Sequence, residues 1–159
     1  MHLLIVSGRS GAGKSSALGA LEDLDFYCID NLPVALLKET VTTLSTVSPG
    51  RNLAVSIDIR TLGHPADVPA LVKSLKEHVS RLDVVFIDAL DESLARRFSE
   101  TRRLHPLSTG IERTHLSDAL KRESERLEPI QNIATYKIDS SGLSIHALRS
   151  QVRELVAGD

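Results

Sequence analysis

The residues best equipped for chemistry lie near the start of the chain. Gly8, Arg9, Ser10, Gly11, Ala12, Gly13, Lys14 and Ser15 satisfy the pattern Gly-x-x-x-x-Gly-Lys-Ser. Glycines let a backbone bend until several N–H groups point at phosphate oxygens. The positive end of a following helix adds to that field. Lys14 would reach the β- and γ-phosphates of a nucleotide. The Ser15 hydroxyl would ligate Mg²⁺, which prefers oxygen ligands and keeps its waters. The same residues would also make a plain glycine-rich turn. An apolar run at 3–7 before them and helical spacing of Ala17, Leu18 and Leu21 after them favour the phosphate reading.

Four aspartates, Asp30, Asp58, Asp88 and Asp139, each end an apolar run. Ligands of an open α/β sheet sit beyond the carboxyl ends of its strands. Asp58 and Asp88 both fit the acid that supports Mg²⁺ beside a phosphate loop, and the pattern does not choose between them. At Asp88 and Asp91 a helix follows at once, so an aspartate there also serves as a cap. Asp58 leads instead into a loop with Gly63 and Pro65. Asp30 ends the second strand, where a phosphate acceptor would bind, or opens the Asn31-Leu32-Pro33 turn. Positive charge comes late: residues 96–126 hold eight Lys/Arg against five Asp/Glu, and residues 1–50 hold three against five. Arginine forks bind phosphate oxygens and stabilise charge on a transferring phosphoryl group. Arg96, Arg102 and Arg103, with Arg113 after a break at 104–110, are therefore candidates for a lid over the loop. The alternative is a solvated helix with pairs such as Arg96–Glu100. Lys121, Arg122 and Arg126 have acidic neighbours and read as solvated. The candidate catalytic residues are thus Asp30, Arg96, Arg102 and Arg103, and the metal ligands Ser15 and Asp58, with Asp88 as the alternative to Asp58. His105 and His115 read as surface histidines, and Cys28 as packing.

Positioning these residues requires strands that end where they stand. Apolar runs at 3–7, 25–30, 53–60, 82–89 and 133–139 read as five strands. Helical patterns follow the loop and cover 33–44, 69–79, 91–103, 113–127 and 143–156. Alternating strands and helices imply an α/β three-layer sandwich around a five-stranded parallel sheet. The length of 159 residues suits one domain, with 42% apolar and 25% charged residues. A net charge of −2 excludes a wholly basic, nucleic-acid-coating surface. A single cysteine excludes an internal disulfide, and the opening apolar run is too short for a signal peptide or a membrane span. A cytoplasmic location without membrane attachment is expected. With no Trp, the core must be mostly Leu, Val, Ile and Ala.

Three stretches together, GRSGAGKSSALGALEDLDFYCIDNLP, SIDIRT and FIDALDESLARRFSETRRLHPL, resemble the RapZ/YvcJ family of bacterial P-loop proteins. The resemblance runs over almost the whole chain, and FYCIDNLP and RRFSETRRLHPL are more specific than the phosphate loop. It implies a kinase-like P-loop NTPase fold that binds ATP or GTP. ATP would be held at Gly8–Ser15, and GTP at Asp58, Ile59, Arg60 and Thr61. It also implies an RNase adapter, in which a small regulatory RNA is bound and presented to an endoribonuclease. That lowers production of glucosamine-6-phosphate synthase. Family members carry a C-terminal domain associated with RNA binding and glucosamine-6-phosphate sensing. This chain ends at Asp159, so it is expected to be the N-terminal domain of a full-length homo-oligomer. Three functions compete: a nucleotide-binding regulatory domain with weak hydrolysis at most, a small-molecule kinase transferring the γ-phosphate to a sugar or nucleotide, and an RNA-binding domain working through 96–126. Scarce aromatics leave the last without a stacking platform.

Overall fold

The computed structural model describes residues 1–108 and 115–158. Strands β1 (His2–Gly8), β2 (Tyr27–Ile29), β3 (Leu53–Ile57), β4 (Arg81–Asp88) and β5 (Tyr136–Asp139) form one sheet in the order β2-β3-β1-β4-β5. Every pairing is parallel. Helices α1 (Lys14–Glu22), α2 (Leu37–Val47), α3 (Val68–Leu75), α4 (Asp91–Thr101), α5 (Leu116–Asn132) and α6 (Ile145–Ala157) cover it. Side chains of a strand alternate between faces. On β1, Leu4 and Val6 accordingly pack with α1, α4 and α6, while Leu3 and Ile5 pack with α2 and α3. The chain leaves β1 toward β2 and β3 on one flank and returns to β4 and β5 on the other. The loop after β1 therefore stands where the strand order reverses, the usual place for a ligand.

The element boundaries depart from the sequence pattern in three informative places. β3 stops at Ile57, because Asp58 to Thr61 form a turn: the Thr61 N–H donates to the Asp58 carbonyl over 3.1 Å, and the Asp58 N–H donates to the Thr61 hydroxyl over 3.2 Å. β2 is reduced to three residues, since Asp25 takes φ 65° and the Phe26 N–H is spent on the Leu21 carbonyl. α5 runs on to Asn132 through Pro129, and β5 begins only at Tyr136. Proline costs a helix one hydrogen bond. Burial of Leu127 and Ile130 on either side of it holds the helix together. Arg113, and the start expected for that helix, lie outside the described residues. No helix among the described residues is long and apolar enough to cross a membrane.

Candidate functional site

Gly8 ends β1 in the middle of the sheet at φ 148°, so close to β4 that a Cβ would stand 1.9 Å from the Ile87 carbonyl oxygen. From there the backbone turns into α1. The loop's carbonyls are held by donors. The Lys14 ammonium donates to Gly8 O over 2.9 Å and Arg9 O over 3.1 Å. Arg97 donates to Gly11 O over 2.9 Å, and the buried Ser140 hydroxyl donates to Ala12 O over 2.6 Å. Arg97 also donates to the Ser140 carbonyl over 2.7 Å, so α4 and the turn after β5 brace the loop together. Among the described residues, the N–H groups of Gly11, Gly13, Lys14 and Ser15 find no protein acceptor. Left-handed φ values of 84° at Gly11 and 121° at Gly13 give the loop the backbone shape of an anion nest. It opens onto the N-terminus of α1. Burial lowers the pKa of Lys14, and the attraction of Glu123, Asp58 and Asp30 offsets this only in part.

The strand-end acids divide. Asp30 stands beside the loop: its Oδ2 accepts from the Ser15 hydroxyl over 3.2 Å, and its Oδ1 from the Ser56 hydroxyl. Asp58 is buried and closed by Arg60, whose Nε and Nη2 donate to Oδ2 over 3.0 and 2.6 Å while its N–H donates to Oδ1 over 2.8 Å. Burial alone would raise the Asp58 pKa. Hydrogen bonds and charge from Arg60, with Lys14 nearby, outweigh it and hold the carboxyl below its ordinary value. Asp88 is turned elsewhere. Its Oδ1 accepts from Arg9 Nε and the Ala89 N–H, each over 2.8 Å, and Arg9 also pairs with Asp91. These three residues line a separate cavity of about 640 Å³ toward β5.

The residues beside the loop line a cleft of about 1070 Å³. Its walls include Ser10 to Ser15, Asp30, Asp58, Arg60, Arg97, Arg103 and, from the start of α6, Ile145 and Leu148. Arg96 and Arg102 are not among its lining residues. Arg96 is exposed, and Arg102 ends α4 in a left-handed conformation at φ 53°. Within the loop, the Arg9 side chain points to the other cavity. In the Asp58–Thr61 turn, the Ile59 side chain belongs to the core.

Two histidine-linked features depart from the sequence reading. His105 is not on the surface: it is 1% exposed. Its Nδ1 accepts from the Leu107 N–H over 3.0 Å, so Nε2 carries the proton and donates to Glu123 Oε1 over 3.0 Å. Glu123, fully buried, receives the Ser10 N–H over 2.9 Å and the Ser10 hydroxyl over 2.6 Å. The sequence carried a signal for it, since Leu116, Leu120, Glu123, Leu127 and Ile130 share one helical stripe and the carboxylate interrupts it. Ser140 gave no such signal. Cys28 does pack: it is half-buried against the core, and burial pushes its thiol up to about 11.

Over residues 1–159 the chain matches the family model described as the RapZ-like N-terminal domain. It is 47% identical over 160 residues to a nucleotide-binding protein of Vibrio parahaemolyticus and 45% identical over 162 residues to one of Marinobacter nauticus. Each comparison covers 99% of this chain but 54% of the relative, so the chain spans about half the length of these proteins. Among solved structures it resembles shikimate kinase from Bacteroides thetaiotaomicron, with a TM-score of 0.63, 18% identity and 98% of both chains covered. It also resembles a gluconokinase from Sinorhizobium meliloti, with a TM-score of 0.55, 16% identity and 99% and 94% of the two chains covered. At such identities the likeness shows a P-loop kinase fold and no more. On its sequence, the chain belongs to the RapZ-like family, within that family's N-terminal domain.

Proposed function

We propose that this chain binds a nucleoside triphosphate, ATP or GTP, with Mg²⁺ at the loop from Gly8 to Ser15. One observation carries the reading: the loop's carbonyls are held by Lys14, Arg97 and Ser140, while among the described residues nothing accepts from the amides of Gly11, Gly13, Lys14 and Ser15. The names of the relatives support it. Mg²⁺ would be held by the Ser15 hydroxyl, with Asp30 as its supporting carboxylate. These hard oxygens already lie 3.2 Å apart. Asp58 and Asp88 are less suited, because Arg60 and Arg9 occupy their oxygens. Among the described residues no three His, Cys, Asp or Glu side chains gather as a metal cage. Mg²⁺ needs none, since it takes one or two carboxylates and fills the rest with water and phosphate. When bound, it neutralises phosphate charge. Lys14 would leave the Gly8 and Arg9 carbonyls for the phosphates, and Arg103 would face them across the cleft.

The fold and the cleft's volume favour a second reading, a small-molecule kinase. An acid on the β2–β3 side weakens it. Asp58 is closed by Arg60 and held below its ordinary carboxyl value, so it is a poor group to take a proton from an acceptor. In the full-length protein, the family relation supports a cytoplasmic, homo-oligomeric RNase adapter. There, nucleotide at this domain would bear on binding of a small regulatory RNA and its delivery to an endoribonuclease. A net charge of −2 and 3% aromatic residues argue that the RNA contacts lie outside this chain.

The test follows the γ-phosphate. The chain and its Lys14→Ala variant would be incubated with Mg²⁺ and labelled ATP or GTP, with a panel of sugars and nucleotides as acceptors. Binding with little release of phosphate is expected, weakened by about tenfold to a hundredfold in Lys14→Ala, the worth of charge-assisted hydrogen bonds. Lys14-dependent transfer to one acceptor would establish the kinase instead. Unchanged affinity in a folded variant would remove Lys14 from the site.

A further inference from the structure

Two of the groups that hold the loop, Arg97 and Ser140, act at its middle, on the Gly11 and Ala12 carbonyls. Next to them, on Ser10, stands Glu123, a fully buried carboxylate with no part in the nucleotide reading above. Burying an ionised carboxylate is costly unless donors satisfy it. Here three do: the Ser10 N–H, the Ser10 hydroxyl and His105 Nε2. His105 is itself fixed by the Leu107 N–H, so α5 delivers the carboxylate and the segment after α4 orients it. Both hydrogen bonds to the loop fall on one residue, which lies between Gly8 and Gly11. A negative charge beside an anion site opposes anion binding, so Glu123 does not serve that site by its charge. What it supplies is geometry.

We propose that Glu123 is a positioning residue for the phosphate loop: oriented by His105, it fixes Ser10 and so holds the loop's free amides in their anion-binding arrangement. The proposal rests on the triphosphate reading of that loop. His105 faces Glu123 as a hydrogen-bond donor, and the charged groups within the carboxylate's field are Lys14 and Arg60. The carboxylate's charge favours the Lys14 ammonium, while its hydrogen bonds to the loop fall on Ser10 alone.

The variants Glu123→Gln, Glu123→Ala and Ser10→Ala separate geometry from charge. Glutamine keeps an oxygen for the Ser10 N–H and His105 and turns its amide to the Ser10 hydroxyl, which then accepts. Alanine loses both. Affinity for fluorescent Mg-ATP and Mg-GTP would be measured for the parent and each variant, with the unfolding midpoint of each. Glu123→Gln is expected to bind at least as tightly as the parent, since it drops a negative charge near phosphate. Glu123→Ala is expected to bind about tenfold more weakly or worse, and Ser10→Ala about threefold more weakly. Glutamine as weak as alanine would assign the effect to charge and overturn the proposal. So would a folded Glu123→Ala with parental affinity. If Glu123→Ala does not fold, Ser10→Ala decides, because it leaves the core intact, and unchanged affinity there overturns the proposal. A parent that binds neither nucleotide would instead defeat the triphosphate reading itself.

Discussion

At the residue scale, the choice among strand-end aspartates turns on which carboxylate still has lone pairs to offer. Asp30 shares hydrogens with Ser15 and Ser56 and lies on the cleft, whereas both oxygens of Asp58 are taken by Arg60. Asp30→Asn should therefore weaken triphosphate binding about tenfold in the presence of Mg²⁺ and leave it unchanged in EDTA, the difference being the carboxylate's hold on the ion. Asp58→Asn should alter neither by more than about threefold, since its partner is Arg60 and not the metal. Paired titrations with and without Mg²⁺ check this, and a metal-dependent loss confined to Asp58→Asn would reverse the assignment. The loop that carries Lys14 and Ser15 was legible in the sequence because a phosphate-loop pattern is a contiguous device. The closure of Asp58 was not, because it depends on the Arg60 side chain folding back two residues. His105 and Glu123 were hidden for another reason. Each reads as an ordinary polar residue until α5 brings them together across eighteen positions.

At the scale of elements, the loop is shaped by what crowds it. A Cβ on Gly8 would meet backbone, the Ile87 carbonyl at 1.9 Å; one on Gly13 would meet the flexible end of Leu148, at 2.4 Å. Both glycines have positive φ, which costs an alanine about 1–3 kcal/mol, and overpacking adds a similar amount where nothing can yield. Gly8→Ala should thus lose about 2–5 kcal/mol of stability, because β1 and β4 must part. Gly13→Ala should lose only about 1–3 kcal/mol, since Leu148 can rotate away. Gly13→Ala should nevertheless bind triphosphate poorly, as φ 121° is what aims the neighbouring amides. Urea unfolding midpoints and nucleotide titrations on both variants check the order. Equal stability losses would mean that the β1–β4 contact relaxes as readily as a leucine side chain. Of the elements, the central strands were the most legible, because β1, β3 and β4 are buried on both faces and read as unbroken apolar runs. The ends were not. At Asp58 a local side-chain turn stops the strand, and at Pro129 tertiary burial of Leu127 and Ile130 overrides a residue that ordinarily ends a helix.

At the scale of the whole molecule, periodicity gave the α/β class but not the order β2-β3-β1-β4-β5, which is a matter of crossovers and not of residue pattern. That order carries β1 to the centre and sets half-buried Lys14 and buried Asp58 and Glu123 around the loop that follows it. Their ionisation links the site to global stability. Asp58 and Glu123 are buried, which alone would raise their pKa values. Donors from Arg60, and from His105 and Ser10, lower both instead. Their stabilising contribution is therefore complete above the unfolded carboxyl values, about 4, and is lost as pH falls through the lower folded values. Lys14 has the opposite sense. Burial lowers its pKa, so its charged form costs stability at neutral pH, and the cost is relieved as pH rises through the folded value toward the unfolded one, about 10.4. The nucleotide-free chain should then lose stability below about pH 4, and gain as pH rises toward the unfolded lysine value, before general base denaturation. Lys14→Met should be as stable as the parent or more so at pH 7 and should lack the alkaline gain, while Asp58→Asn should start lower and show a shallower acid limb. Urea unfolding across pH 3 to 10 on the three proteins measures all of it. A Lys14→Met chain clearly less stable than its parent at pH 7 would mean that the ammonium's bonds to the Gly8 and Arg9 carbonyls outweigh its burial. The lysine that is to receive the phosphates would then also brace the loop's backbone.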